Sequence, residues 1–410
     1  MRNLITIAIR NLFRYKRRTL LTSSLIAFGV VVVIVFGGLA ISFKTQMIGI
    51  LTNTAIGDLQ IHASGYVESI DNLPLNLTLS DQALSAVEQA LKENRYVAAY
   101  SPRLKFGGMI SNYAQTSNIR MSAVYPEREN NTCPGLVSRI KGGTPTPDQF
   151  LKPGEMLVPE NLAKGLGVNV GDDIVLVATN KEGSVNGIPL RVGAIIESVL
   201  GPAGKDGYMH IDDAKTLLRM EEPEIVEIAV HLKEFDQLSR AFPELKKRLT
   251  VQQPDIEVHS WEQLSPFASI ARIVDLLILV VKFILISIVL VSILNIMTMS
   301  VYERISEIGT IAAIGTRPGR ILAMFLLEGL AMGLLSTAAG ILIGLGVLWV
   351  LNMVAIDFSF GMMAVSLTPR IPAEEVIIVT VIVILVSVAA SLQPAYKASR
   401  MEPVDALGHV

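Results

Sequence analysis

Four apolar runs constrain this chain more than anything else in it. They extend approximately over Leu20 to Phe43, Leu276 to Met299, Ile321 to Leu351 and Val376 to Leu392. Each is long enough for an α-helix, rising 1.5 Å per residue, to cross about 30 Å of hydrocarbon. In lipid only helices and closed barrels satisfy their own backbone polar groups, so the runs predict four spanning helices. Hydrophobic residues make up 51% of the 410 and charged ones 18%, which is too apolar for an ordinary soluble domain. The first run follows basic residues and ends near Gly37, Gly38 and Ala40, as a secretory signal would. Its apolar core is too long for a signal peptide and three further runs follow, so it is read as retained.

The flanking charges set an orientation. Arg2, Arg10, Arg14, Lys16, Arg17 and Arg18 precede the first run with no acid among them, and the positive-inside rule predicts a cytoplasmic N-terminus. Four crossings then place 44–270 outside, 301–320 inside, 352–375 outside and the 395–410 tail inside. Arg304, Arg317, Arg320, Lys397 and Arg400 all fall on the inner side. The location expected is a membrane, with both termini cytoplasmic and the large domain outside. Within 1–18, Leu4, Ile5, Ala8, Ile9, Leu12 and Phe13 recur at helical steps opposite the arginines, the pattern of an interfacial helix in the headgroup layer.

The 44–270 segment has the composition of a soluble α/β mixture. "SDQALSAVEQALKE" (80–93), "DDAKTLLRM" and "DQLSRAFPELKKRL" predict helices, the first with a Ser cap. "DLQIHAS", "DDIVLVAT" and "LRVGAIIES" predict strands, and "NKEGSVNGIP" a hairpin. No proline lies between Pro266 and Pro318, so a stalk and second spanning helix over 271–300 can be continuous. The fold class expected is an α-helical membrane protein with four transmembrane helices plus a large α+β extracytoplasmic domain inserted between helices 1 and 2. Its plan is 1–18 interfacial helix, 19–43 helix 1, 44–270 domain, 271–300 stalk and helix 2, 301–320 cytoplasmic helix, 321–351 helix 3, 352–375 loop, 376–394 helix 4 and 395–410 tail.

Chemistry is sparse. His62, His210, His231 and His259 stand in no H-E-x-x-H or comparable metal spacing, and there is no G-x-S-x-G elbow. They read as surface or polar-core residues, although a site of dispersed residues is compatible with the sequence. Cys133, the single cysteine, allows no internal disulfide and none of the repeated Cys/His spacings of zinc sites. No metal site or cofactor is expected. No G-x-x-x-x-G-K-[ST] occurs, so this chain alone is not expected to hydrolyse ATP. A net charge of -2 gives no basic excess for nucleic acid. Lys282 and Glu328 are ionisable groups inside apolar runs, a position that suggests function by default. Gly329 with Gly333, and Gly340 with Gly344, are spaced by four for close helix approach, within the subunit or between subunits.

The insert between the second and third runs, "ERISEIGTIAAIGTRPGR" (303–320), has apolar Ile305, Ile308, Ile311 and Ala312 at helical spacing. Glu303 and Glu307 are one turn apart, and Arg304 is within reach of Glu307. Gly315 reads as a helix stop, with Thr316 and Pro318 opening the next helix. The pattern fits a short rigid lever equally with an ordinary re-entry hairpin.

This insert resembles the E-R-x-x-E-I-G-x-x-x-A-x-G segment of MacB/FtsX-type permeases, the type VII ABC transporters. "QPAYKASRMEPVDAL" (393–407), "AIRNLFRYKRRTLLT" and "VPENLAKGLGVNVGD" resemble that family's closing, opening and extracytoplasmic patterns. In build the chain is most similar to the lipoprotein-releasing (LolC/LolE-like) permeases. The resemblance implies a bacterial inner membrane location with the large domain periplasmic, a second permease subunit, identical or paralogous, bound with a cytoplasmic ABC ATPase dimer that holds ATP and magnesium, and a periplasmic carrier or adaptor. It implies coupling to that ATPase through Glu303, Arg304, Glu307, Gly309, Gly315 and Arg317. It further implies extraction of lipoproteins or another lipophilic cargo from membrane lipid, with Phe43, Met47, Ile48 and Lys282 as candidates for a cargo cavity. The alternatives are an FtsX-like signalling scaffold that activates a cell-wall hydrolase, and efflux of a small amphiphile.

Overall fold

A computed structural model describes residues 10, 16–142, 150–197, 205–221, 224–264, 267–354, 356–360 and 363–401. The predicted interfacial helix lies almost wholly outside these residues, as does the end of the tail motif from 402 onward. The chain divides into a helical unit (Met1–Thr45, Ala271–Asp357 and Ser366–Val410) and a sheet-containing unit (Gln46–Ile270 with Phe358–Val365).

The long helices are α1 (Lys16–Leu51), α7 (Phe267–Glu303), α9 (Pro318–Val354) and α10 (Ala373–Ser399). The domain helices are α2 (Asp81–Glu93), α3 (Pro126–Thr132), α4 (Glu160–Leu166), α5 (Ile211–Leu218) and α6 (Leu238–Gln252), with a single turn at Trp261–Leu264. Between α7 and α9 lies α8 (Ile305–Ala313). All four long helices are long and apolar enough to span a membrane. They overrun the predicted limits because nothing breaks them at the apolar boundary: α7 has 37 residues, roughly 55 Å of rise. Pro394 does not end α10, which continues to Ser399 with Ala395 and Ala398 buried.

The small residues of α9 are packed inside the subunit. A Cβ on Gly329 would stand 1.8 Å from Ser391 Oγ, and one on Gly333 would stand 2.3 Å from Ser387 Oγ, both on α10. Gly340 and Gly344 face α1 instead, where Cβ atoms would meet Val30 at 2.6 Å and Ile34 at 2.9 Å. Two glycine pairs on one helix thus seat two different neighbours. Ser23 and Ser336 add a hydroxyl contact of 2.6 Å between α1 and α9.

In the domain the strands are β1 (Leu59–Ala63), β2 (Val97–Ser111), β3 (Thr116–Val124), β4 (Ile140–Lys141), β5 (Glu155–Pro159), β6 (Asp173–Thr179), β7 (Val185–Ile196), β8 (Asp206–His210), β9 (Glu227–Leu232) and β10 (Ile256–Ser260). Among the described residues they form one mixed sheet in the order β10-β1-β9-β2-β3-β8-β5-β7-β4, with β6 pairing both β2 and β7. The pairings β2-β3-β8-β5-β7-β6-β2 therefore close a ring. The long β2 serves two partners along one edge, β9 through Val97–Arg103 and β6 through Gly108–Ser111. Gly108 permits the second, since a Cβ there would lie 2.9 Å from the Val177 carbonyl. The core runs from Leu59 and Ile61 through Leu104, Phe106 and Met121 to Ile174 and Val192.

The local signals act as expected. Ser80 Oγ accepts from Ala83 N at 3.2 Å and caps α2. The β6–β7 hairpin turns at Asn180–Ser184, where Gly183 has φ +84°. The 352–375 segment departs from the predicted loop: it contains a two-stranded hairpin, β11 (Ile356–Phe360) with β12 (Met363–Leu367). The alternating "IDFSF" and "MAVSL" either side of a glycine supply its pattern.

Gly333→Leu should lower the detergent-state melting temperature by several degrees through the clash with Ser387, while Gly346→Leu, with open space beside it, should leave it within error. Equal melting of the two variants would remove close packing as the reason for these glycines.

Candidate coupling site

The break between α7 and α8 is made without glycine or proline. Arg304 leaves the helical region (φ −118°, ψ 20°), its N–H donating to Val301 O and its carbonyl accepting from Ile308 N to open α8. At the other end Gly315 takes φ +90°, Gly315 N donates to Ala312 O and Thr316 N to Ile311 O, which satisfies the last carbonyls. Pro318 then starts α9.

One face of α8 is buried. Ile308 and Gly309 lie in it, with Ile311 and Ala312 partly buried, against Val301, Ile321, Met324, Phe325, Ala395 and Ala398. Arg304 turns inward with them. Its side chain is 7% exposed; Nε reaches Glu307 Oε2 at 3.1 Å, Nη1 reaches Glu328 Oε2 at 3.4 Å, and the guanidinium carbon is 5.9 Å from the centre of the Phe325 ring. Glu328 is equally buried. A carboxylate and a guanidinium removed from water require each other, and losing one member is far worse than losing both. The pair therefore clamps α8 to α9.

The opposite face carries Ser306, Thr310 and Ala313, all exposed, and is flanked by exposed Glu303 at the end of α7, by Ile314 just past α8, which is 81% exposed, and by exposed Arg317 before α9. Of the residues predicted to couple, Glu307 is at the edge of this face, Glu303 ends α7 on one side of it, and Gly315 and Arg317 are in the exposed turn on the other. Arg304 and Gly309 point the other way, so they build the lever instead of presenting it.

The predicted cavity residues separate. Lys282 lines a cleft of about 320 Å³ with Ile41, Lys44, Asp275 and Glu375 among others. Phe43, Met47 and Ile48 do not line it. Phe43 sits about 200° around α1 from Ile41 at 100° per residue, while Met47 and Ile48 are buried in the sheet-containing unit.

A second polar centre joins residues too far apart in the sequence to show a local pattern. Arg103, 1% exposed, donates to both oxygens of Glu129 (2.9 and 2.7 Å), to Glu227 at 2.8 Å, and to the Ala55 carbonyl at 2.6 Å in the π turn Thr52–Ile56 that follows α1. Burial opposes charge on Glu227, but Lys105 and Arg103 hold its carboxyl down at about 2. Burial pushes the Cys133 thiol, 3.0 Å from Arg103, up to about 12, so this cysteine is inert at neutral pH. Burial keeps the neighbouring His62 ring neutral, its pKa lowered to about 4 against the pull of Glu227. The two ends of the domain meet nearby: β1 pairs with β10, Leu59 opposite Ser260, and Trp261 N donates to Asp58 O.

Comparison with known families decides the class. Residues 19–248 match the MacB-like periplasmic core domain, and residues 279–403 match the FtsX-like permease C-terminal family. The chain belongs to the MacB/FtsX family of ABC transporter permeases. The lipoprotein-releasing system transmembrane protein LolC of Neisseria meningitidis is 22% identical over 419 residues, covering 95% of this chain and 93% of LolC. The Bacillus subtilis ABC transporter permease YtrF is 38% identical over 123 residues, 28% of each chain. The periplasmic region of MacB from Actinobacillus actinomycetemcomitans superposes on 52% of this chain and 91% of its own, at 16% identity and a TM-score of 0.36. This permease is thus of the LolC/LolE and MacB type, a multi-pass membrane protein.

Two outcomes are expected. Arg304→Met should destabilise the permease by about 3–5 kcal/mol because Glu328 is left buried without it, and Arg304→Met with Glu328→Met should recover most of that loss in a double-mutant cycle. Additive losses would mean that the two side chains do not act together. The pH dependence follows from His62, whose folded pKa lies below its unfolded value of about 6.5. Its contribution is complete above pH 6.5 and is lost as pH falls toward 4, by up to roughly 3 kcal/mol; the depressed Glu227 adds a further loss between about 4.5 and 2. Unfolding followed by Trp261 fluorescence in a Trp349→Phe background should show the first decline, and His62→Gln should flatten it.

Proposed function

We propose that this permease receives force from a separate cytoplasmic ATPase on the exposed face of α8 and passes it along α7 and α9 to a periplasmic domain. The N- and C-termini are then cytoplasmic, ATP and magnesium bind to the ATPase dimer, and a second permease subunit completes the assembly. The cargo is a lipoprotein, or another amphiphile, drawn from the outer leaflet of the inner membrane and passed to a periplasmic carrier.

The observation that carries this reading is the division of α8 into a clamped face and an offered one. A helix pinned by Arg304, Glu328 and a buried apolar cluster cannot absorb a push by rotating, so displacement passes to the helices joined to it. The offered face and the turns that flank it supply what a partner needs: exposed Ile314 as a contact centre, with Glu303 and Arg317 at the rim for orientation. On the domain side, Arg103 holds the turn after α1 to the sheet, and β1 and β10 are hydrogen-bonded neighbours. Motion entering by either connection therefore reaches the same edge of the sheet. The similarity to LolC, a transmembrane protein of the lipoprotein-releasing system, supports this cargo class.

Ile314→Asp should reduce copurification of the ATPase at least tenfold without changing the melting temperature of the permease, and Glu307→Lys should weaken it less. Unchanged copurification of both variants would remove α8 from the contact. For the cargo, ATP hydrolysis by the reconstituted complex should rise with an acylated lipoprotein and not with its unacylated form. Stimulation by a cell-wall hydrolase in the absence of lipid cargo would replace transport with signalling.

A further inference from the structure

The cleft at Lys282 lies between α1, α7 and α10, and its wall has a regular layout. Asp275 and Lys282 are seven residues apart on α7, two turns and roughly 10 Å along one face, with Ile278 and Leu279 between them. Asp275 meets Lys44 of α1 at 2.5 Å, and Lys282 meets Glu375 of α10 at 2.6 Å. Ile41 and Ile378 complete the apolar part, and Glu374, exposed in the first turn of α10, adds a third carboxylate. The volume, about 320 Å³, falls at the small end of the 300–1,000 Å³ usual for ligand sites.

We propose that this cleft binds the headgroup of a zwitterionic phospholipid, one carrying a phosphate and a primary ammonium, with the lysines on the phosphate and the carboxylates on the ammonium. The site goes beyond the transport reading, because it holds a lipid whatever the cargo is. The charge arrangement selects the occupant. Two lysines stand against three carboxylates, so an anionic headgroup meets net repulsion, and its phosphate cannot replace a carboxylate at Lys44 or Lys282 without leaving that carboxylate unpaired. A headgroup that brings its own ammonium compensates the carboxylate it displaces. Neither does helix adhesion alone account for the layout, since apolar contacts would hold the three helices at lower desolvation cost and would leave no space. Ile41, Ile278, Leu279 and Ile378 provide an apolar wall for the first methylenes of the lipid. A cleft in the wall of a spanning bundle is filled from the bilayer, so no separate entry path is needed.

Glu374→Gln is the decisive variant, because its side chain is exposed and belongs to neither ion pair. Native mass spectrometry of the full chain in detergent should show phosphatidylethanolamine retained over phosphatidylglycerol by roughly tenfold, the value of one additional charge-assisted bond. Phosphatidylcholine, whose quaternary ammonium donates no hydrogen bond, should fall between them. Glu374→Gln should erase most of that preference at unchanged melting temperature. Lys282→Gln with Glu375→Gln, which removes one pair without leaving a lone charge, should weaken phosphatidylethanolamine retention further. Equal retention of the three lipids by the wild type, preferred retention of phosphatidylglycerol, or an undiminished preference in both folded variants would overturn the proposal. Loss of lipoprotein stimulation with lipid selectivity intact would count against the transport reading and leave this site standing.

Discussion

An arginine without water around it must find its charge partners within the protein, and Arg304 finds Glu307 on its own short helix and Glu328 on the next. That requirement shapes the region where a membrane bundle turns back on itself. Because the buried Glu328 cannot be abandoned cheaply, α8 cannot swing as a loose loop between α7 and α9. Gly309 is buried, Ile308 and Phe325 fill the apolar space beneath, and Gly315 ends the helix at φ +90°. What remains exposed is a short, stiff surface whose apolar tip is unusual for a solvent-facing turn.

The same logic of forced partnership recurs in the domain. Arg103 is surrounded by Glu129, Glu227, Cys133 and the Ala55 carbonyl, and this cluster joins the turn after α1 to strands that are distant in sequence. Within the helical unit the constraint is steric. Gly329 and Gly333 receive the serines of α10, and Gly340 and Gly344 receive Val30 and Ile34 of α1. Stiffness at a buried ion pair, close helix contact and a domain whose two ends share one strand pairing suit a part that conveys displacement without performing chemistry.

The sequence reveals best what depends on near neighbours. Apolar length marks the spanning helices, Ser80 marks the start of α2, and the glycine after "TIAAI" marks the end of α8. Small residues four apart announced close packing, although only the structure assigned one pair to α10 and the other to α1. Long-range partnership was hidden. Arg103 reads as an ordinary strand residue because its acids lie 26 and 124 positions away. Arg304 reads as a surface residue of an amphipathic helix because Glu328, 24 positions on, belongs to another element. Phe43, Met47 and Ile48 do not line the cleft at Lys282, because helical phase along α1 decides which of its side chains face that cleft.

The central claim is that α8 and the sheet-containing domain lie on opposite sides of the bilayer, so that force must cross it. Cysteine labelling tests this directly, since the native Cys133 is fully buried and gives little background. A membrane-impermeant maleimide should react with Ile314→Cys only in inverted vesicles and with the exposed Val185→Cys only in right-side-out ones. Labelling of both positions from the same side would contradict the account.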